Sequence, residues 1–413
     1  MPRWRYLLRR LARELWFRAA AYSVLGLVGA LVAAGLARFV PQALAVSFGG
    51  DATGKILTVI SSSMLAVTTF SLSTLVTAYT SISSSATPRA AKLLVSDHDG
   101  QNVLSTFVGA FLYSLVGLVA LQTGYYGPQG RLILFLITVG VLVVVVIALI
   151  RWIHSLSRLG QVDAAISRVE AATREALESE RERASADEAP PLPEGHLTLT
   201  STSVGYVQNV DLGALRGLCL ANGVRAWVRA PPGRFVHVGA PLIDVAPGPA
   251  DKEVADAMLA TVLVGSARSV EEDPRFGVTV LAEVAMRALS PGVNDPGTAV
   301  EVVATGVRLL SEWSRGRDAP PRDAVQDAVY LPPTTAPELL DDLVRPIATY
   351  GAGDLNVGLA LQQGLRALAE GGSPALAESA RHHAVNAAAR AERSLTDAGD
   401  VQRLREASRW AAG

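Results

Sequence analysis

One cysteine, Cys219, stands among 413 residues, so no intrachain disulfide can form, as expected for a chain exposed mainly to a reducing compartment. Lysine is scarce too, with three against thirty-four arginines, a bias that points to a GC-rich bacterial genome and carries no function of its own. There is no Gly-x-Ser-x-Gly elbow, no His-Glu-x-x-His, no Walker A loop and no Gly-x-Gly-x-x-Gly. The six histidines are scattered. His382 and His383 are neighbours and diverge by about 100° on a helix, so they cannot serve one metal together. With no nucleophile–base pair and no ligand cluster, we expect neither an enzyme nor a metal or cofactor protein. No nucleic-acid partner is expected either.

Charge is absent from three stretches of nineteen residues, 19–37, 103–121 and 132–150, each long enough to cross roughly 30 Å of hydrocarbon as a helix. Residues 56–80 make a fourth apolar stretch. The first stretch is too long for a cleavable signal, and Arg38 and Phe39 follow it where small cleavage-site residues would stand. Basic residues set the orientation. Arg3, Arg5, Arg9, Arg10, Arg13 and Arg18 precede the first span, Arg89 and Lys92 lie between the second and third, and Arg151 and Arg158 follow the fourth. Only Arg38, Lys55 and Arg131 lie on the other side, which places both termini in the cytoplasm of a multi-pass cell-membrane protein. The net charge of −1 averages a basic membrane half with a more acidic remainder.

The expected fold is an α-helical membrane domain of four transmembrane helices, then a cytoplasmic α+β domain. The boundaries fall at 1–152 for the spans, 153–195 for a stalk helix and linker, 196–248 for a small β-barrel or sandwich, and 249–413 for a helical half. Leu159, Val162, Ile166 and Val169 form a short apolar seam on the stalk, suited equally to its own soluble domain or to a neighbouring subunit. The charged, proline-bearing run 179–195 reads as a linker. In the β-rich stretch, Asp211 starts a short helix that Gly223 stops. Helices are expected over 251–264, 276–289, 296–314, 336–350, 354–370, 374–396 and 398–411.

The second span is unusual for lipid. Eleven of its twenty-five residues are serine or threonine, and Thr58, Ser62, Thr69, Ser73, Thr80 and Ser84 follow spacings of 4, 7, 4, 7 and 4 along one side of a helix. Such a stripe either packs closely on another helix or faces water. No Asp, Glu, Lys or His lies inside any span, which argues against proton-coupled transport. Four helices cannot enclose a channel alone, but a ring of second spans could. The leading expectation is a homo-oligomer of roughly three to five subunits passing ions or small solutes along a hydroxyl-lined path, regulated by its cytoplasmic domain. Thr58, Ser62, Thr69, Ser73 and Thr80 would line the path, Phe70 and Leu72 would pack on other helices, and Lys55, Arg89, Asp97 and Asp99 would stand at its mouths. On the first span, Gly26, Ala30 and Ala34 offer a small-residue face for a neighbour. The fourth span, with Thr138 its only hydroxyl, is expected to face lipid. The competing expectation is a membrane-anchored scaffold or sensor in which the hydroxyls only pack helices.

Residues 288–303, ALSPGVNDPGTAVEVV, form the sharpest soluble motif. Asp295 suits an N-cap and Pro296 the first helical position, with Ser290 and Asn294 in the preceding turn. The negative Asp295 disfavours an anion site, so Ser290, Asn294 and Asp295 are expected at a subunit or domain contact.

These blocks resemble a bacterial family known as a predicted membrane protein, a domain of unknown function. Within 85–115 the matching positions are Pro88, Arg89, Asp97, Gln101, Leu104, Phe107, Gly109 and Tyr113. WIHSLSRLGQVDA, GYVQNVD, the Gly233 turn and RFGVTVLAEVAMRALSPGVNDPGTA are similar to later family motifs, though Ser155 stands where a second histidine is expected after His154. The resemblance implies an integral membrane protein with four spans and a cytoplasmic tail, and brings no activity or functional residues with it.

Overall fold

The computed structural model describes residues 50–95, 98–156, 161–183, 190–248, 251–316 and 328–411, with Ala20, Ser23, Val24 and Val28. The expected first span, 19–37, therefore lies outside the described residues apart from these four isolated positions, as do Leu159 and Asp97. The described chain divides into two compact units, one of residues 50–82 and 91–164, the other of 83–90 and 165–411.

The first unit is helical: α1 (Gly50–Ser85, whose last turn belongs to the other unit), α2 (Pro88–Val95), α3 (His98–Gln122) and α4 (Pro128–Leu156). Among the described residues, three stretches are long and apolar enough to span a membrane: Ala52–Ser84, Asn102–Gln122 and Gln129–His154. Ile60 and Met64 of α1 pack with Val103, Phe107 and Ala110 of α3 and with Val145, Ala148 and Trp152 of α4. A second cluster joins Leu57, Tyr113, Tyr126 and Leu134.

The face of α4 carrying Leu136, Val143, Val146, Ile147 and Ile150 is exposed, as an apolar lipid-facing helix requires. Thr138 is the correction. Its side chain is fully buried, not lipid-facing, and its hydroxyl donates to the Leu134 carbonyl at 2.6 Å. With that proton committed, the Tyr113 hydroxyl donates to Thr138 Oγ1 at 2.9 Å. A lone hydroxyl on an apolar helix is stabilised by a partner inside the protein, and hydropathy cannot say which helix supplies it. Thr138→Val should therefore cost about 1–2 kcal/mol in thermal unfolding of the detergent-solubilised protein, and much less in a Tyr113→Phe background.

The second unit is a mixed helical region with two small sheets. Helix α5 (Val162–Arg183) buries Ile166 and Val169 within the chain. Arg308 grips Glu170 at 2.7 and 2.8 Å, Arg174 reaches Glu312 at 2.8 Å, and Glu180 accepts the Thr334 amide at 2.6 Å. The Arg308 hydrogen bonds hold the Glu170 carboxyl below its ordinary range. Two members of the stalk seam, Ile166 and Val169, are thus buried within the chain itself.

The strands are β1 (Leu197–Thr200), β2 (Gly205–Val210), β3 (Arg225–Val228), β4 (Phe235–Val236), β5 (Pro241–Ala246), β6 (Val262–Gly265) and β7 (Val329–Tyr330). They form a four-stranded sheet ordered β1-β5-β3-β7 and a three-stranded sheet ordered β4-β2-β6. Helix α6 (Leu212–Asn222) opens on Asp211, which accepts the Ala214 amide at 3.0 Å, and closes on Gly223 at φ 64°. Both ends lie where the sequence places them. Leu215, Cys219, Ile243 and Met258 are central in the core, and burial pushes the Cys219 thiol up to about 11.

Two strands escape the sequence reading. The expected helix 251–264 stops early, as α7 (Lys252–Leu259), and its remainder is β6, which pairs antiparallel with β2. Strand β7 follows two long helices yet pairs parallel with β3. Both are too short to show a period, and their pairing is non-local.

Among the described residues, six further α-helices complete the unit: α8 (Pro274–Ala288), α9 (Pro296–Gly316), α10 (Ala336–Tyr350), α11 (Leu355–Gly371), α12 (Pro374–Glu392) and α13 (Ala398–Ser408). Their starts carry local signals: side-chain caps at Asp273, Asp354, Ser373 and Asp397, and a Thr335–Glu338 capping box.

Candidate functional site

On α1, Thr53, Leu57, Ile60, Met64, Ser71, Ala78 and Ile82 are buried against the rest of the chain. At 3.6 residues per turn these positions centre about 180° from Thr58, Ser62, Thr69, Ser73 and Thr80. All five hydroxyl residues are exposed. The stripe is thus turned directly away from the chain's own core. Phe70 and Leu72, expected to pack on other helices, are instead 64% and 45% exposed.

Four of the five hydroxyls donate to a carbonyl one turn back: Thr58 to Gly54 at 2.9 Å, Ser62 to Thr58 at 3.0 Å, Thr69 to Leu65 at 3.0 Å and Thr80 to Val76 at 2.9 Å. This satisfies the donor without any neighbour and leaves the oxygen lone pairs outward. Ser73 makes no such bond, so its hydroxyl keeps both donor and acceptor capacity.

Of the residues expected at the mouths, Lys55 is exposed. Asp97 and the side chain of Asp99 lie outside the described residues. Arg89 is engaged: its guanidinium is paired with Glu283 of α8 and lies 5.9 Å from the Phe276 ring centre. Arg268 covers the same ring at 4.9 Å while binding both oxygens of Asp273 at 2.7 and 3.1 Å. One turn before Arg89, the Ser84 carbonyl accepts two hydrogen bonds from Arg287 at 2.9 and 3.1 Å. Burial raises the Glu283 carboxyl, opposed by the charge of Arg89. Burial likewise raises Asp273, opposed by Arg268. Glu283, Phe276, Arg268 and Arg287 are absent from the site read in the sequence. Their only advance signal is that Phe276, Glu283 and Arg287 fall in the block RFGVTVLAEVAMRALSPGVNDPGTA.

The turn after α8 is as its sequence implies. Ser290 Oγ donates to the Arg287 carbonyl at 2.6 Å, and Asn294 sits at φ 52°, a conformation asparagine tolerates. Asp295 caps α9, accepting the Thr298 amide at 3.2 Å and its hydroxyl at 2.6 Å. Those bonds hold its carboxyl below the ordinary range. Residues 291–295 are exposed in a row. The turn thus presents residues 291–295 to the outside.

Among the described residues, no group of three or more His, Cys, Asp or Glu is placed to hold a metal. His382 is hydrogen-bonded to Asn386 at 2.9 Å, and burial depresses the basicity of His383.

Residues 12–367 match the family model described as predicted membrane protein (DUF2254). The chain belongs to this family. Similar proteins are an uncharacterized protein of Mycobacterium bovis and uncharacterized proteins from two strains of Mycobacterium tuberculosis, each 29% identical over 337 residues. The match covers 78% of this chain and 64% of each relative, so the chain spans under two thirds of the length of these DUF2254-like relatives. No solved structure matches it significantly.

Proposed function

We propose that this DUF2254 protein is a homo-oligomeric channel, in which α1 helices from roughly three to five subunits surround a hydroxyl-lined path for ions or small solutes. The observation that carries the reading is the opposition of faces on α1: the apolar side is used by the chain's own core, and the side with Thr58, Ser62, Thr69, Ser73 and Thr80 is left outward. Oxygen lone pairs directed outward can replace part of a hydration shell at no cost in buried charge. The soluble unit acts as the regulator, with the Arg89–Glu283 pair and the Arg287–Ser84 bonds holding the end of α1. The test combines particle symmetry in detergent with ion flux from reconstituted liposomes. A stable monomer at micromolar concentration would end the channel reading.

One observation favours the scaffold or sensor alternative. Thr58, Ser62, Thr69 and Thr80 already satisfy their donors on their own helix, so lipid could cover them at little cost. In that case the exposed turn at Ser290, Asn294 and Asp295 is where a partner docks. No catalytic role is proposed on either reading.

Both readings place the termini in the cytoplasm. Cysteines introduced as Ala52→Cys and Gln129→Cys should react with an impermeant maleimide added to intact cells, and Ser185→Cys should react only after permeabilisation. The buried Cys219 gives no background in the native protein. Labelling of Ser185→Cys from outside would reverse the topology.

A further inference from the structure

The outer face of the four-stranded sheet carries a row of side chains that the channel reading does not use. Strand register aligns Thr198, Asp244, Trp227 and Tyr330 across β1, β5, β3 and β7. Trp227 points away from the main core, which takes its neighbours Ala226 and Val228. Its ring lies 5.2 Å from that of Tyr330 at a tilt of 31°, and Arg225 stands 5.7 Å from the Trp227 ring. Thr198 donates to Asp244 at 2.7 Å, closing one side of the aromatic shelf.

Such a shelf on an outer sheet face would normally be open, yet Trp227 and Tyr330 are only 6% and 7% exposed. The chain's own segment Pro190-Pro191-Leu192-Pro193 lies against it. The Trp227 indole N–H donates to the Pro190 carbonyl at 2.9 Å, and Leu192 packs on the cluster of Trp227, Ala246 and Tyr330. The segment has Pro-x-x-Pro spacing and belongs to no helix or strand. Proline fixes φ, so such a segment is pre-extended and loses little entropy on binding. An indole donor on a backbone carbonyl, beside an aromatic floor for the intervening apolar residue, is how proline-rich segments are recognised in general.

We propose that the Trp227–Tyr330 shelf is a binding site for a Pro-x-x-Pro segment of a partner protein, held closed in this chain by residues 190–193 acting as a tethered ligand. Arg225 beside the shelf selects a segment with acidic flanks, as the strap itself has in Asp187, Glu188 and Glu194. This assignment stands independently of any conduction through α1. A tethered ligand has an effective concentration on the order of millimolar, so an external segment binds measurably only when the strap is weakened.

The test uses the full-length protein in detergent and a fluorescent decapeptide copying residues 187–196. Leu192→Ser removes the strap's apolar anchor and should give saturable binding, at least about tenfold tighter than the unmodified protein shows. Adding Trp227→Phe, which keeps a ring but removes the donor, should weaken that binding by about tenfold. The same peptide with its prolines replaced by alanine should bind far more weakly. Absence of saturable binding to Leu192→Ser, or binding indifferent to Trp227→Phe or to the prolines, would overturn the proposal. Should Leu192→Ser fail to fold, the milder Leu192→Ala is titrated with the same peptide. Saturable binding that Trp227→Phe weakens supports the site, and its absence overturns it.

Discussion

Ser73→Leu is expected to reduce ion flux through reconstituted liposomes by about tenfold or more while leaving assembly intact. Ser73 lies exposed on the outward stripe of α1 and is the one member with no hydroxyl bond to its own helix, so its replacement breaks no such bond. A leucine there narrows the proposed path and replaces a wettable surface with an apolar constriction that favours dewetting. The matched control is Val144→Leu, at an exposed position of α4 on the lipid side, which should change flux little. Thr138→Leu cannot serve as that control, because Thr138 is buried against Tyr113. Equal behaviour of Ser73→Leu and Val144→Leu would remove the stripe from the conduction path. Wild-type liposomes silent under voltage, tension and pH change would leave the scaffold reading as the better one.

Gly233→Ala is expected to be the most damaging single-methyl change, costing about 3 kcal/mol or more and lowering the apparent Tm by about 10 °C. Gly233 sits at φ 88°, in the region that L side chains rarely adopt, and its amide donates to the Val207 carbonyl at 2.8 Å. A Cβ there would overlap the Asp273 carboxylate. That carboxylate is buried, caps α8 through the Phe276 amide at 3.1 Å, and is bound twice by Arg268. Displacing it leaves a partly buried guanidinium and a helix start without their partners, which is where the larger part of the cost arises. Gly217→Ala, on the exposed side of α6 with open space around it, should be neutral or stabilising by up to about 1 kcal/mol. Thermal unfolding followed by tryptophan fluorescence separates the two, and equal shifts would refute the argument.

The membrane-spanning character of the second, third and fourth apolar stretches was legible because length and lack of charge are properties of a segment by itself. The same holds for the helix starts at Asp211 and Asp295, since a cap is a bond between residues three apart. The direction of the hydroxyl stripe was legible only in part. Spacing puts Thr58, Ser62, Thr69, Ser73 and Thr80 on one side of a helix, but only packing with α3 and α4 makes that the side turned away from the core.

Chain-wide chemistry written in sequence-local signals was therefore determined by the sequence alone: the apolar spans of a membrane protein and its capped helices. Tertiary structure decided where hydroxyls and charges find partners. Thr138 turns inward because Tyr113, 25 positions away, offers its hydroxyl. Arg89 pairs with Glu283 across 194 positions, and β7 pairs with β3 although three helices intervene. Each of these contacts depends on bringing distant segments together, a balance of burial against chain entropy that no local pattern records.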